Sequence, residues 1–184
     1  MDLLLFPDRQ IFLYINHLPH TDVLNLIALS ISGAGTGGLI WFAIAGVFFL
    51  KEERANHWFF PPFLLAGGMS WVLVERILKP LVGRLRQDEL TDAIIVGNPS
   101  YDFSWPSGHA TIAFAMAAIL SRHRSAWKGF YYALALLIAF TRVYLGKHYP
   151  SDVIAGAFLG WIIGVSAYLV CYHVVKHGIK KRKP

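Results

Sequence analysis

Thiol chemistry is nearly absent from this sequence. Its one cysteine, Cys171, lies inside an apolar run, so no disulfide can form within the chain and no cysteine-based metal site is available. Cys171 reads as a small buried hydrophobe. Charge is scarce as well: 15% of the 184 residues are charged, against about 25% in a typical soluble domain. The first residues, MDLLLFPDRQ, lack the basic n-region of a cleavable signal peptide. There is no internal repeat, low-complexity linker or second-domain break, so a single domain over 1–184 is expected. The alternating pattern of a membrane β-barrel is missing too.

What is present is apolar and helical. Hydrophobic residues make up 55% of the chain and the mean hydropathy is +0.48. Apolar stretches near membrane-spanning length recur, which predicts an all-α, multi-pass membrane bundle. Residues 8–18 read as an amphipathic helix in the membrane interface, interrupted by Pro19, within an interfacial N-terminal segment over 1–20. Apolar segments over 21–33 and 36–50 flank a Gly-rich break, and 51–57 form a polar turn. The first of these is too short to cross the bilayer alone and reads as part of a hairpin or a tilted helix. Further helices are expected over 58–79, 107–121, 127–146 and 151–175, with a long polar loop over 80–105 and a basic tail over 176–184.

The positive charges divide by side. Arg9, Lys51, Arg54, Arg122, Arg124, Lys128 and the cluster from Lys176 to Lys183 fall on one face. Lys79, Arg84, Arg86, Arg142 and Lys147 fall on the other, with Arg76 in the helix just before them. The positive-inside rule puts the first group, and the C-terminus, in the cytoplasm. The expected location is the inner (plasma) membrane, with the 80–105 loop and the 142–152 connection facing the periplasm or exterior. The +6 net charge therefore speaks for a bilayer, not for nucleic acid. The outward cations break the trend, and cations near membrane depth have a reason to be there. Anionic headgroups alone would supply one.

Three stretches share that outer face, each at a helix end: KPLVGRLRQ, WPSGHAT and TRVYLGKHYPSD. Lys79, Arg86 and Arg142 are three cations able to surround a phosphate, with arginine forks matching its oxygens. Ser107 and the amide of Gly108 open a helix after Pro106, where free N–H groups favour an anion. His148 can attack phosphorus through a ring nitrogen. Asp152, four residues on, can accept the other ring N–H and stabilise the imidazolium. His109 can protonate the leaving alkoxide and then activate water. The histidines are also possible metal ligands, but three surrounding cations would repel a divalent ion, so neither metal nor cofactor is expected.

At these residues the chain resembles the type 2 phosphatidic acid phosphatase superfamily, the lipid phosphate phosphatases. That family's pattern is Lys, six residues, Arg-Pro; then Pro-Ser-Gly-His; then Ser-Arg, five residues, His, three residues, Asp. Lys79 to Arg86, Pro106 to His109, and Arg142, His148 and Asp152 match the spacing. Gln87 replaces the family proline and Thr141 the common serine. Neither position carries a core charge, though Gln87 should loosen the start of the loop. The resemblance implies a six-helix bundle and a lipid phosphate substrate such as undecaprenyl pyrophosphate, phosphatidylglycerol phosphate, phosphatidic acid or a lipid A phosphate. Two alternatives share the cage: an oxyanion-binding relative of vanadium haloperoxidases, and a non-catalytic lipid-phosphate binder or carrier.

Other polar residues have ordinary readings. Glu75 and Arg76 suit structural ion pairs, and Tyr144 and Tyr149 suit packing. Asp88, Glu89, Asp92 and Asp102 read as charges of a solvated loop. His17, His20, His57, His123, His173 and His177 read as surface histidines. The Gly-rich break at 33–38 suits close helix packing.

Overall fold

Backbone polar groups in lipid must be satisfied within the chain. The computed structural model describes residues 2–51, 59–87 and 92–180, and no strand occurs among them. α1 is Asp2–Asn16 and α2 is Asp22–Gly35. A 3-10 turn, Thr36–Gly38, joins α2 to α3, Leu39–Lys51. α4, Phe60–Trp71, continues through a π-helical stretch, Val72–Leu78, into the short α5, Lys79–Val82. α6 is Gly108–His123, α7 is Lys128–Tyr144 and α8 is Pro150–Lys180. With α2–α3 and α4–α5 each taken as one rod, the described residues form six helical rods, the expected all-α membrane bundle.

Local chemistry explains the boundaries. Thr21 caps α2, its Oγ1 accepting from the Leu24 amide at 3.2 Å. Gly37, at φ +58°, lets the chain kink between α2 and α3. Pro61 and Pro62 fall in the first turn of α4, where no amide donor is needed. The helix expected over 58–79 runs on to Val82: Pro80 falls in the first turn after the π-helical stretch, and the helix ends where Gly83 adopts the left-handed conformation. The loop expected over 80–105 is correspondingly 83–107. α1 starts earlier than residue 8 and ends before Pro19. α8 passes residue 175 and takes in the start of the basic tail, since no proline follows Pro150 before Lys180. The polar turn beyond Lys51, His57, Asp88, Glu89 and the last four residues lie outside the described residues.

The bundle is apolar on the outside as well as inside. Leu50 is 85% exposed and Phe158 65%, a surface suited to lipid and not to water. Asp22–Lys51 and Pro150–Val174 are each long and apolar enough to cross a bilayer. α6 occupies the centre, with Ala110, Ala113, Ala117, Met116 and Leu120 all buried. α8 lies against it through Gly156, Gly160 and Gly164. A Cβ on these would meet the carbonyl oxygens of Ser107, Thr111 and Ala115 at 2.6, 2.1 and 2.3 Å. This four-residue glycine stripe brings two backbones into direct contact, the close packing that drives helix association in lipid. It also brings the N-termini of α6 and α8 together, where the Ser107 amide donates to the Asp152 carbonyl at 3.0 Å.

Candidate active site

Where α6 and α8 begin, residues 83–87 and 92–107 and the turn after α7 close over one end of the bundle. A cavity of about 640 Å3 opens there, lined by Lys79, Arg86, Gly108, His109, Arg142 and His148. Six of the eight residues singled out in the sequence therefore face one space. The other two stand behind it. Asp152 is fully buried beside His148. Ser107 is also fully buried; its hydroxyl caps α6 by facing the Ala110 amide at 3.5 Å. The helix start that the sequence reading assigned to Ser107 and Gly108 is present, with Ser107 as its cap and Gly108 at the cavity wall.

His148 is the most enclosed of the lining groups, at 1% exposed. Its Nε2 lies 3.2 Å from Arg86 Nη1. A guanidinium only donates, so Nε2 accepts and the ring proton sits on Nδ1, 3.5 Å from Asp152 Oδ2. That separation is an electrostatic contact and not a close hydrogen bond. Burial first, then the nearby Arg86 and Arg142 charges, outweigh the pull of Asp152 and lower the His148 pKa to about 3. The ring is therefore neutral at physiological pH, with a lone pair on Nε2.

Lys79 and Arg86 hold a carboxylate in common. Lys79 Nζ bonds both Glu75 oxygens at 2.8 Å and also pairs with Asp102. Arg86 Nη2 bonds both Asp102 oxygens at 2.9 and 3.0 Å. Asp102 is thus no solvated loop charge. The loop folds back, the Ser104 amide donating to the Arg84 carbonyl at 2.7 Å, and sets Asp102 between the two cations. Burial pushes its pKa up, but the hydrogen bonds from Lys79 and Arg86 prevail and hold it down to about 2. Glu75 pairs with Lys79, as a structural reading allowed, while Arg76 stacks on Trp71 at 5.0 Å.

The opposite wall belongs to α2 and its kink. Arg142, 8% exposed, donates from Nη1 to Ser32 Oγ at 2.6 Å, and its Nε has no partner. His109 Nε2 lies 3.2 Å from Thr36 Oγ1. The Gly-rich break thus does more than pack helices: it delivers Ser32 and Thr36 to the site. Lys147 donates to the Asn98 carbonyl at 2.6 Å; burial, then Arg142 and Arg86, lower its pKa to about 8.

A family model for the PAP2 superfamily matches residues 60–176, well over half of the chain and all three motif stretches. The chain belongs to the PAP2 superfamily. This PAP2 protein is 29% identical over 180 residues to a lipid A 4'-phosphatase of Bacteroides thetaiotaomicron, an alignment covering 90% of this chain and 77% of that one. It is 34% identical over 131 residues to a decaprenylphosphoryl-5-phosphoribose phosphatase of Mycobacterium tuberculosis, covering 69% and 68% of the two chains. Its fold matches that of the crystal structure of a transmembrane PAP2-type phosphatidylglycerolphosphate phosphatase from Bacillus subtilis, with a TM-score of 0.68 at 24% identity, over 100% of this chain and 89% of that one. The protein is a PAP2-type phosphatase, a phosphate ester hydrolase, built as an integral membrane protein.

Several residues of the site went unnoticed in the sequence. Arg84 counted only as an outward cation, yet its Nη1 reaches Asp152 Oδ1 at 2.6 Å. Ser104 donates to the other Asp152 oxygen, and nothing in its sequence neighbourhood marks it. Not all the N-terminal histidines are free surface groups. His17 bonds the Asp92 carbonyl at 2.8 Å, and His20 stacks on Tyr144 at 4.4 Å, while His123 stacks on Phe59 at 4.2 Å. Gln87, expected only to loosen the loop, is buried with neither amide atom hydrogen-bonded.

Proposed function

We propose that this protein hydrolyses a lipid phosphate or lipid diphosphate through a phosphohistidine on His148. The observation that carries the proposal is a buried imidazole whose Nε2 faces Arg86 at 3.2 Å at the edge of a cavity shared with Lys79, Arg142 and a second histidine. The substrate phosphate displaces Asp102 and binds Lys79, Arg86 and Arg142 near the α6 N-terminus at Gly108, which Ser107 caps. His148 Nε2 attacks phosphorus. The phosphorus–oxygen bond to the lipid breaks, and His109 gives its proton to the departing oxygen. Asp152 offsets the positive charge that grows on the ring, and the cations offset the charge that grows on the phosphoryl oxygens. Water, deprotonated by His109, then attacks phosphorus. The N–P bond breaks and inorganic phosphate leaves.

The relatives' names speak for a phosphorylated lipid, and the apolar exterior of the bundle supports that reading. The charge count supports an inner-membrane location, a site facing the periplasm or exterior and a cytoplasmic C-terminus. Phosphate release in detergent from undecaprenyl pyrophosphate, phosphatidylglycerol phosphate, phosphatidic acid and lipid A, with EDTA present, tests the reading. Turnover of at least one is expected to persist in EDTA. His148→Ala, still folded by gel filtration, is expected to lose it by at least about a thousandfold. An active His148→Ala protein, or loss of activity in EDTA restored by a divalent cation, would overturn the mechanism.

A further inference from the structure

The nucleophile's carboxylate partner is held from an unexpected direction. Asp152 Oδ1 accepts from Arg84 Nη1 at 2.6 Å. Its Oδ2 accepts from Ser104 Oγ and from the Tyr149 amide, the latter at 2.9 Å. Arg84 is gripped in turn. Its Nη2 donates to Asp8 Oδ2 at 2.7 Å, and its guanidinium lies 4.1 Å from the centre of the Tyr149 ring. Asp8 sits on α1, is 8% exposed, and also binds both ends of Ser151: the amide at 2.9 Å and the hydroxyl at 2.6 Å. α1 lies wholly outside the matched family segment, residues 60–176.

The charge arithmetic gives this tether a consequence beyond packing. Arg84 stands between two buried carboxylates. Were it paired with Asp152 alone, the two charges would cancel, and little negative potential would remain for the imidazolium that forms when His148 attacks. With Asp8 sharing the guanidinium, the trio carries a net −1, and Asp152 keeps its field toward Nδ1. Buried charges of this kind act strongly because water does not screen them.

We infer that Asp8 is a positioning residue for the reaction: through Arg84 it fixes the orientation of Asp152 and preserves the charge with which Asp152 holds the His148 ring. The inference rests on His148 being the nucleophile. It predicts a transition-state effect without a binding effect, because Asp8 touches neither the cavity nor its cations.

The test uses the full chain in detergent, with Asp8→Asn as the main variant: it keeps the shape and both Ser151 contacts, Oδ1 accepting from the Ser151 amide and Nδ2 donating to the Ser151 hydroxyl, while losing the charge and the Arg84 hydrogen bond. Asp8→Ala and Asp8→Glu are made beside it. Expected for Asp8→Asn are a kcat lowered about tenfold, the size of loss that a small misplacement of a reacting group produces, unchanged KM and unchanged vanadate inhibition. Asp8→Glu recovers part of the loss. A second readout needs no turnover: histidine-selective 15N NMR, with the His148 signals assigned by their loss in His148→Ala. The Nδ1–H resonance is expected to shift in Asp8→Asn and to lose its single tautomer in Asp8→Ala. Wild-type kcat in Asp8→Asn, or an unmoved Nδ1 resonance in both variants, would overturn the inference. So would equal losses of kcat, vanadate affinity and thermal stability, which mark a fold defect. Activity surviving His148→Ala would instead refute the phosphohistidine reading, and the NMR shift still decides whether Asp8 reaches the ring.

Discussion

The two sides of the cavity are built differently. His109 and Asp152 ride on α6 and α8, whose backbones touch along Gly156, Gly160 and Gly164, and His148 stands one turn from that seam. Lys79 and Arg86 sit at a helix end and in a loop, and their charges are engaged by Asp102, a residue that is itself 45% exposed. The histidine side is held by helix contacts that stay in place, and only the Arg86 bond to His148 Nε2 has to open before that nitrogen can react. On the proposed mechanism, the cation side exchanges a carboxylate for a phosphate. If His148 is the nucleophile as proposed, rigidity lies where the reacting nitrogen is placed, and exchange lies where the substrate comes and goes.

Breaking the rigid side should have the largest effect. A Cβ on Gly160 would stand 2.1 Å from the Thr111 carbonyl oxygen, and the obstacle is backbone, which cannot rotate away. Gly160→Leu is expected to abolish recovery of monodisperse protein. Gly160→Ala should survive with a loss of about 1–3 kcal/mol, read by thermal melting in detergent, and with reduced kcat as the helix N-termini separate.

On the cation side, Arg86→Gln removes both the fork on the anion and the donor to His148 Nε2. It is expected to lower kcat/KM about 100- to 1000-fold while leaving the melting temperature near that of wild type. Asp102→Asn should act in the opposite sense. With the competing charge gone, vanadate is expected to inhibit several-fold more tightly, by about 1 kcal/mol or less for a half-exposed ion pair. Because the Asp102 pKa is lowered to about 2 in the fold, the wild-type carboxylate stays charged from pH 5 to 8. The difference between the two proteins should be constant across that window. The ion pairs' contribution to stability is present above the ordinary carboxylate value and is lost as pH falls through about 2. A gain that vanished between pH 8 and 6 would assign the competition to another group.

The smallest effect concerns Gln87. A buried amide with no hydrogen-bond partner carries a desolvation penalty of roughly 1–3 kcal/mol. Gln87→Leu is expected to raise stability by about 1 kcal/mol with activity unchanged, checked by melting and phosphate release.

Much of this architecture was legible in advance, for reasons that can be named. Lys79, His109 and Arg142 lie near helix ends, and Arg86 and His148 lie a few residues from one, so placing the helices brings all five to one face. Ser107 was half legible: its position at a helix start is plain, but capping and phosphate binding call for the same residue type. Asp102 was misread because the fold-back of its loop rests on a backbone hydrogen bond to Arg84 that leaves no compositional trace. Asp8 is separated from Arg84 by 76 residues and from Ser151 by 143, beyond any local pattern. The stripe at Gly156, Gly160 and Gly164 was not picked out in the sequence, because its spacing gains a meaning only from the helix backbone it meets.

The account turns on a covalent bond between His148 and phosphorus. The direct measurement is rapid quench of the enzyme with excess lipid phosphate under alkaline denaturing conditions, followed by mass spectrometric mapping of phosphorylated peptides. One phosphoryl group on His148, formed and lost at rates that match turnover and absent from His148→Ala, is the predicted result. Turnover with no phosphorylated intermediate, or with the phosphoryl group on another residue, would contradict it.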